Sequence, residues 1–427
     1  MTSDNFFSKY DWETMLSRYP VGAKSAGKPT EGAADGLDGP SLISEYHSIL
    51  CPPSDYPDFL DKYIALPLMQ RLGGIGLLCG TDWTRLYNNR FYYSRLDHSK
   101  GVALIIWHFT HDKAQTLAGL FHDVSTPVFS HVSDFRKGDA LTQTATEAPT
   151  AALLRADKEL GRLLAADGLT LADVEDYHKY PIADNEIPQL SADRLEYMFP
   201  SGMALDGSWT LDQVRQCYED LTVVRGEEGT PELAFRTLET AELYCEHFCM
   251  IGHILQLNEN KLALQLLGQV MNLAVQEGIL HEDDFMMLSE RKVIEKLEAD
   301  LQCTSLSGTP MSLSGSTRQS AETDSHIKYG NDNKVRLFRL YKTFRQMSEI
   351  EHTETALPEN EYFCVNLKVK QRYINPLVVV STGSTTATAP QPTAPAKRLS
   401  EVSPKSRRII EDFLAYHDTP YGCVKLI

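Results

Sequence analysis

The chain has 427 residues, enough for one large domain and a smaller companion, and its 41 Lys and Arg against 58 Asp and Glu give a net charge of -17. Binding to a nucleic-acid backbone needs clustered cations, so this balance argues against a nucleic-acid partner, though not against a nucleotide held by a few basic groups and an ion. The eight cysteines are irregularly spaced and do not form a disulfide framework, no apolar stretch is long enough to span a bilayer, and the first residues lack the charged and apolar regions of a signal peptide; a cytoplasmic protein without membrane contact is expected.

In chain order, residues 1–50 read as a capping segment with a Gly-rich turn region between Gly22 and Gly39. A helical domain follows over 51–303, where apolar residues recur at helical spacing. Val102, Leu104, Ile105, Ile106 and Phe109 predict a central helix buried nearly all round, and Leu262–Val275 predicts a second long helix. Residues 304–325, rich in Ser, Thr and Gly, read as a flexible insertion. The remaining 326–427 read as a small α+β domain. Lys334–Arg345 predicts a basic amphipathic helix with Val335, Phe338, Tyr341 and Phe344 on one face. Residues 366–370 alternate with period two and predict a strand, as does the stretch Tyr373–Val380. A second flexible link, rich in Thr, Ala and Pro, covers 381–397, and Ser403–Tyr416 predicts a closing helix. The expected fold class is mostly α, a helical bundle followed by this small α+β part.

The chemistry concentrates at His122-Asp123, which ends the apolar run Leu117–Phe121. Adjacent side chains reach one ion only where the backbone bends, as at a helix end, and an earlier His98 and a later Asp193 can complete the shell. Two other His-Asp pairs lack such partners. Asp112 of His111-Asp112 is placed to cap the next helix, and His417-Asp418 precedes a Thr-Pro turn. Cys245, Cys249 and His253 share a helical face but lie among Leu243, Phe248 and Met250, and read as core rather than as a zinc site.

Three segments then resemble the HD-domain phosphohydrolase superfamily: Tyr93 to Val102 with His98, Gly119 to His131 with His122-Asp123, and Ser191 to Tyr197 with Asp193. Within it the pattern is most similar to the deoxynucleoside triphosphate triphosphohydrolase branch. Arg95 stands three residues before His98, Gln70-Arg71-Leu72 lies upstream, Pro127, Phe129, Ser130 and His131 follow the His-Asp pair, and 370–378 resemble a C-terminal segment of that branch.

The resemblance implies an HD-domain bundle, a single divalent metal held by His98, His122, Asp123 and Asp193, and assembly as a homo-oligomer. It also implies Arg95 and Arg194 as phosphate contacts, Gln70 as a sugar contact and Tyr197 as pocket wall. Mixed imidazole and carboxylate ligation suits Mn, Fe, Co, Ni or Zn. The sequence departs from the branch where it has Thr126 and Thr146 in place of two functional histidines and Ser201 in place of an arginine. Proton transfer then falls to His131 or Glu147, with Asp123 at the reacting centre. The expected activity is hydrolysis of a nucleotide or another phosphorylated metabolite by metal-activated water. The alternative is a catalytically weak nucleotide-binding sensor or interaction protein with the same fold.

Overall fold

Helix α2, Arg95–Thr110, opens with a reciprocal cap: Ser94 Oγ accepts from the Asp97 amide at 3.1 Å, and the Asp97 carboxylate accepts from the Ser94 amide at 3.1 Å. Five successive residues, Val102 to Ile106, are then buried, as the sequence leads one to expect of a central helix. The chain turns at His111, in the left-handed conformation, and Asp112 Oδ1 caps α3, Lys113–Phe121, by accepting from the Gln115 amide at 3.0 Å. Helices α2 and α3 pack along each other, so the end of α3 returns His122 to the start of α2.

This is a computed structural model that describes residues 39–141, 149–205, 207–227, 229–306, 324–380 and 395–427. Glu147, Thr146 and most of the expected insertion and link fall outside these residues. Part of the expected N-terminal cap is a core element: α1, Gly39–Leu50, buries Leu42, Tyr46, Ile49 and Leu50. Further along are α4 (Val132–Arg136), α5 (Ala192–Leu205), α6 (Leu238–Gln256), α7 (Asn258–Gln276), α8 (Glu290–Leu306) and α9 (Asp324–Gln346). The fold is mostly α with small sheets, in line with the expected class.

Among the described residues there are two large apolar cores and a small third one at Val224, Ala234 and Leu377. One large core gathers α1, α2, α3, α5 and α6; the other gathers α4, α7 and α9. Phe121 and Val124 belong to the first and Val128 and Phe129 to the second, so the residues just after His122 bridge the two. Cys245 and Cys249 are buried in the first core, and His253 stacks on Tyr416 at 4.0 Å, which agrees with reading that helix face as core.

The C-terminal residues depart from their predicted elements. A hairpin inside the helical region, β1 (Leu221–Arg225) with β2 (Pro231–Phe235), is extended by β5 (Leu377–Val379) and β6 (Ala396–Arg398), in the order β1-β2-β5-β6. The sequence reading missed β1 and β2, whose burial on successive positions lacks a clear alternation. Residues 366–370 are not a strand: β4 (Tyr362–Val365) ends before them in one sheet, and β5 begins after them, at Leu377, in the other. In α9 the buried face is Leu337, Leu340, Tyr341 and Phe344, while Val335 and Phe338 are exposed. A strict three-residue spacing drifts around a helix, whereas positions i, i+3, i+4 and i+7 stay on one face.

Helix α10, Pro404–Ala415, is capped by Ser403, and a strand follows it. Strand β7 (Tyr421–Lys425) follows and sits between β3 (Glu351–Thr353) and β4 (Tyr362–Val365), with Cys364 bonded to the directly opposed Cys423. That disulfide was not expected from the cysteine spacing. Among the described residues, no helix is long and apolar enough to cross a membrane.

This small sheet is tied to α7 by His352, whose Nδ1 lies 3.2 Å from Asp418 Oδ1 and whose Nε2 lies 3.0 Å from Glu259 Oε1. Hydrogen bonds to Asp418 and then Glu259 raise the His352 pKa to about 10. A raised histidine pKa contributes stability that is complete below its unfolded value of roughly 6.5 and is lost as pH rises through the folded value. Melting temperature is therefore expected to fall between about pH 7 and pH 10 in the wild type. The fall should be shallower in His352→Gln; identical pH profiles would contradict the latch.

Candidate metal centre

Four side chains from three elements converge at the end of α3. His98 comes from the first turn of α2, His122-Asp123 from the end of α3, and Asp193 from the first turn of α5. His98 Nε2 is 3.1 Å from His122 Nε2, 3.2 Å from Asp193 Oδ1 and 3.7 Å from Asp123 Oδ2. His122 Nε2 is 3.6 Å from each of the two carboxylates. The residues proposed as metal ligands are thus brought together.

The other nitrogen of each ring shows what this arrangement requires. His98 Nδ1 faces Glu196 Oε2 at 2.5 Å, and His122 Nδ1 faces the Gly119 carbonyl at 2.7 Å. With an acceptor at each Nδ1, each ring can keep a proton there and turn its Nε2 toward the centre of the cluster. His122 Nε2 and one oxygen of each carboxylate lie within 4 Å of His98 Nε2, and with His98 Nε2 deprotonated this donor set fits a divalent transition metal. The charges agree. Burial alone would lower the His98 pKa, but Glu196, Asp193 and Asp123 raise it to about 10. Burial would raise Asp193, yet His98 and His122 hold it at about 2, and Asp123 is pulled far below the carboxylate range by Arg95 and the two histidines.

Glu196, missed as a functional residue in the sequence, is the main support of the site. It follows Asp193 by one helical turn, so both side chains share a face of α5. It is fully buried, and Tyr93 donates to its Oε1 at 2.5 Å. Pro200 in α5 has no amide to give the Glu196 carbonyl, and the Tyr46 hydroxyl approaches that oxygen at 3.4 Å instead. Gly101 on α2 completes the packing, since a β-carbon there would lie 2.3 Å from Glu196 Oε1.

Arg95 lies beside the cluster and is already paired. Its Nη1 donates to Asp123 Oδ2 at 2.7 Å and its Nε to Ser130 Oγ at 3.0 Å. Ser130 and the preceding Phe129 both have positive φ, and this tight turn lets Ser130 Oγ also donate to the Gly76 carbonyl at 3.2 Å. Gly76 is held in turn by the buried Glu290, which accepts from its amide at 2.9 Å.

Thr126, at the position of a missing histidine, donates to the second Asp123 oxygen at 2.8 Å. The Asp123 carboxylate is therefore oriented from both sides. Removing one such support is expected to weaken metal affinity about 10- to 100-fold, so Thr126→Val should need that much more Mn for half-saturation in a titration. An unchanged midpoint would deny Thr126 this role.

The ligands line a cavity of about 170 Å³. Tyr177 covers the His122 ring at 5.2 Å between centroids and also lines it. Tyr197 lies in the wall, its hydroxyl buried and without a hydrogen-bond partner among the described residues, and Ser201 also lines the cavity. His131 lines the cavity too; its Nδ1 is 3.0 Å from the fully buried Asp134, and burial lowers its pKa.

Two predicted contacts are placed elsewhere. Gln70 is exposed, and its amide donates to the Ile64 carbonyl at 2.8 Å, outside the cavity lining. Arg194 donates to the Gln189 carbonyl at 2.9 Å, bonds Asn185, and lies 3.3 Å from Asp184 Oδ1. It secures the loop before α5 instead of lining the cavity. In contrast, Lys370 and Arg372 enter the lining from the segment between β4 and β5, a role the sequence reading did not assign to them.

No protein-family model matches the chain. It is 24% identical over 242 residues to the uncharacterized protein YdhJ of Bacillus subtilis (strain 168), spanning 56% of this chain and 71% of that protein. Among solved structures it is similar to a hypothetical protein from Aquifex aeolicus, with 14% identity, a TM-score of 0.52, and coverage of 87% of this chain and 92% of the other. It overlaps more loosely with a phosphohydrolase from Bacteroides thetaiotaomicron VPI-5482, at 14% identity, a TM-score of 0.47, and coverage of 86% and 95%. The Aquifex likeness shows a shared fold and no more, and the looser overlap carries no functional argument.

Proposed function

We propose that the chain is a metal-dependent phosphohydrolase acting on a phosphoester or phosphoanhydride bond of a nucleotide or a related phosphorylated metabolite. The observation that carries this reading is the pair of imidazole Nε2 atoms 3.1 Å apart, flanked by Asp123 and Asp193. When bound, a divalent metal supplies Lewis acidity toward a phosphoryl oxygen and lowers the pKa of a coordinated water toward roughly 7.

The protein's own groups supply the rest. Arg95 keeps a guanidinium at the edge of the cluster while neutralising Asp123. His131, neutral and with its Nδ1 proton engaged by Asp134, presents Nε2 as a proton acceptor on the cavity wall. The apolar residues Leu77, Leu78, Leu205 and Leu264 offer a surface for a base or sugar.

The test is to quantify metal in the purified protein and to screen nucleoside mono- and triphosphates with Mn added, resolving phosphate from triphosphate release. Turnover that is lost in His122→Ala and Asp123→Ala supports the reading, and equal turnover in those variants overturns it. His131→Gln is expected to lower kcat about 10²- to 10⁴-fold with metal content unchanged, the range of a lost acid–base group. A kcat within a factor of about two would remove His131 from the chemistry.

A further inference from the structure

Glu290, the first residue of α8, is buried although it lines no part of the cavity. A buried carboxylate is costly unless its oxygens are met, and here each oxygen has its own donor. Its Oε1 accepts from the Gly76 amide at 2.9 Å, and its Oε2 accepts from Trp83 Nε1 at 2.8 Å. Only an ionised carboxylate offers these two donors an oxygen each. The start of α8 also abuts the Gly76 segment directly, since a β-carbon on Gly74 would lie 2.5 Å from Ser289 Cβ.

The segment that Glu290 holds is paired with the one that carries Arg95 into α2. The Leu77 amide donates to the Tyr93 carbonyl at 2.9 Å and the Arg95 amide to the Ile75 carbonyl at 2.8 Å, with Gly76 bridged to Ser94 between them. Gly76 has little room to shift, because a β-carbon there would lie 3.1 Å from both Asp82 Oδ2 and Tyr92 Cε2. Its carbonyl accepts from Ser130 Oγ at 3.2 Å. A hydroxyl has one proton, so with that proton given to Gly76 the Ser130 oxygen turns its lone pairs to Arg95 Nε, 3.0 Å away. Arg95 Nη1 in turn donates to Asp123 Oδ2 at 2.7 Å. A guanidinium is a rigid fork, so fixing Nε fixes where Nη1 meets the carboxylate.

We propose that Glu290 is a positioning residue of the metal centre: through Gly76, Ser130 and Arg95 it sets the direction of the Asp123 carboxylate, which it does not touch. This rests on the reading above for the role of Asp123 as a metal ligand. The start of α8 and that ligand are thereby one connected unit.

Burial and then the Asp82 charge push Glu290 up to about 7, so the experiment is set at about pH 8, where the ionised form prevails. It is a double-mutant cycle of Glu290→Ala and Ser130→Ala in the full-length protein. Mn affinity, read from the electron paramagnetic resonance of free Mn, is expected to fall about 10-fold in either single variant and no further in the double variant. Glu290→Gln, which offers one oxygen to two donors, should lose less than Glu290→Ala and carries the cycle if the alanine variant does not fold. A second readout needs no metal: exchange of the Arg95 Nε proton, followed by heteronuclear NMR, should quicken at least about 10-fold when Glu290 is replaced by alanine. Wild-type Mn affinity in the Glu290 variants, losses that add in the double variant as a purely structural role would give, or unchanged Arg95 exchange overturns the relay. A wild type that takes up no Mn, while Arg95 exchange still quickens in the variant, leaves the relay standing and refutes the metal centre instead.

Discussion

Asp193→Ala is expected to empty the metal centre while leaving the protein folded. Asp193 sits in the first turn of α5 with its side chain partly exposed, and its Oδ1 lies within 3.6 Å of both histidine Nε2 atoms. Truncation removes one of two carboxylates facing those nitrogens but no core packing. It also removes a negative charge that opposes Asp123. Stability should fall modestly in the metal-free protein, because a carboxylate held below its ordinary range by His98 and His122 favours the folded state and alanine removes it. Activity toward any phosphate ester the wild type hydrolyses should fall at least about 10³-fold, because water activation depends on the ion. Circular dichroism and metal analysis on one sample check both halves. Loss of helical signal would assign Asp193 a structural role.

Gly101→Ala is expected to damage the same centre from behind. The added carbon would lie 2.3 Å from Glu196 Oε1 and 2.8 Å from its Cγ and Cδ. Glu196 has no free space to yield, being fully buried and fixed by Tyr93, His98 and Tyr46. Either α2 and α5 separate or Glu196 releases His98. Overpacking of this kind costs about 1–3 kcal/mol, occasionally more. A His98 ring without its Nδ1 acceptor can turn or change tautomer, which should weaken metal binding about 10- to 100-fold.

The double variant Gly101→Ala with Glu196→Ala separates the two effects. Removing the carboxylate should restore much of the lost stability, as expected of residues in contact, yet leave metal affinity low. Additive stability losses in the double variant would show that Gly101 and Glu196 are not coupled.

How much of this could be read in the sequence follows from how local each signal is. The order His98, His122-Asp123, Asp193 was legible because each ligand sits at a helix start or end, and capping residues such as Ser94 and Asp112 mark those ends. The burial of α2 was legible from its run of aliphatic side chains. Partner choice was not. Gln70 and Arg194 stand at family-like positions, but each found backbone acceptors within nine residues and turned to them. Thr126 read as a loss because a histidine was expected there, whereas its hydroxyl holds Asp123.

Glu196 could have been found, since a carboxylate one turn after Asp193 in a buried helix needs a partner, and a metal-ligating histidine is a common one. Lys370 and Arg372 could not. Lys370 ended an alternation that suggested a strand and Arg372 lay between two predicted strands, and only the packing of the segment against α6 and the loop at Ala140 brings them to the cavity. The pairing of β5 with β2 across more than a hundred residues was equally beyond any local pattern.

The central claim is that His98, His122, Asp123 and Asp193 hold a catalytic divalent metal. Its most direct test is elemental analysis of the purified, Mn-supplemented protein alongside phosphate release from the substrates it turns over, in wild type and His122→Ala. The expected result is about one divalent ion per chain in the wild type, with ion and turnover lost together in the variant. A wild type that takes up no metal, or a variant that keeps both ion and turnover, would contradict it.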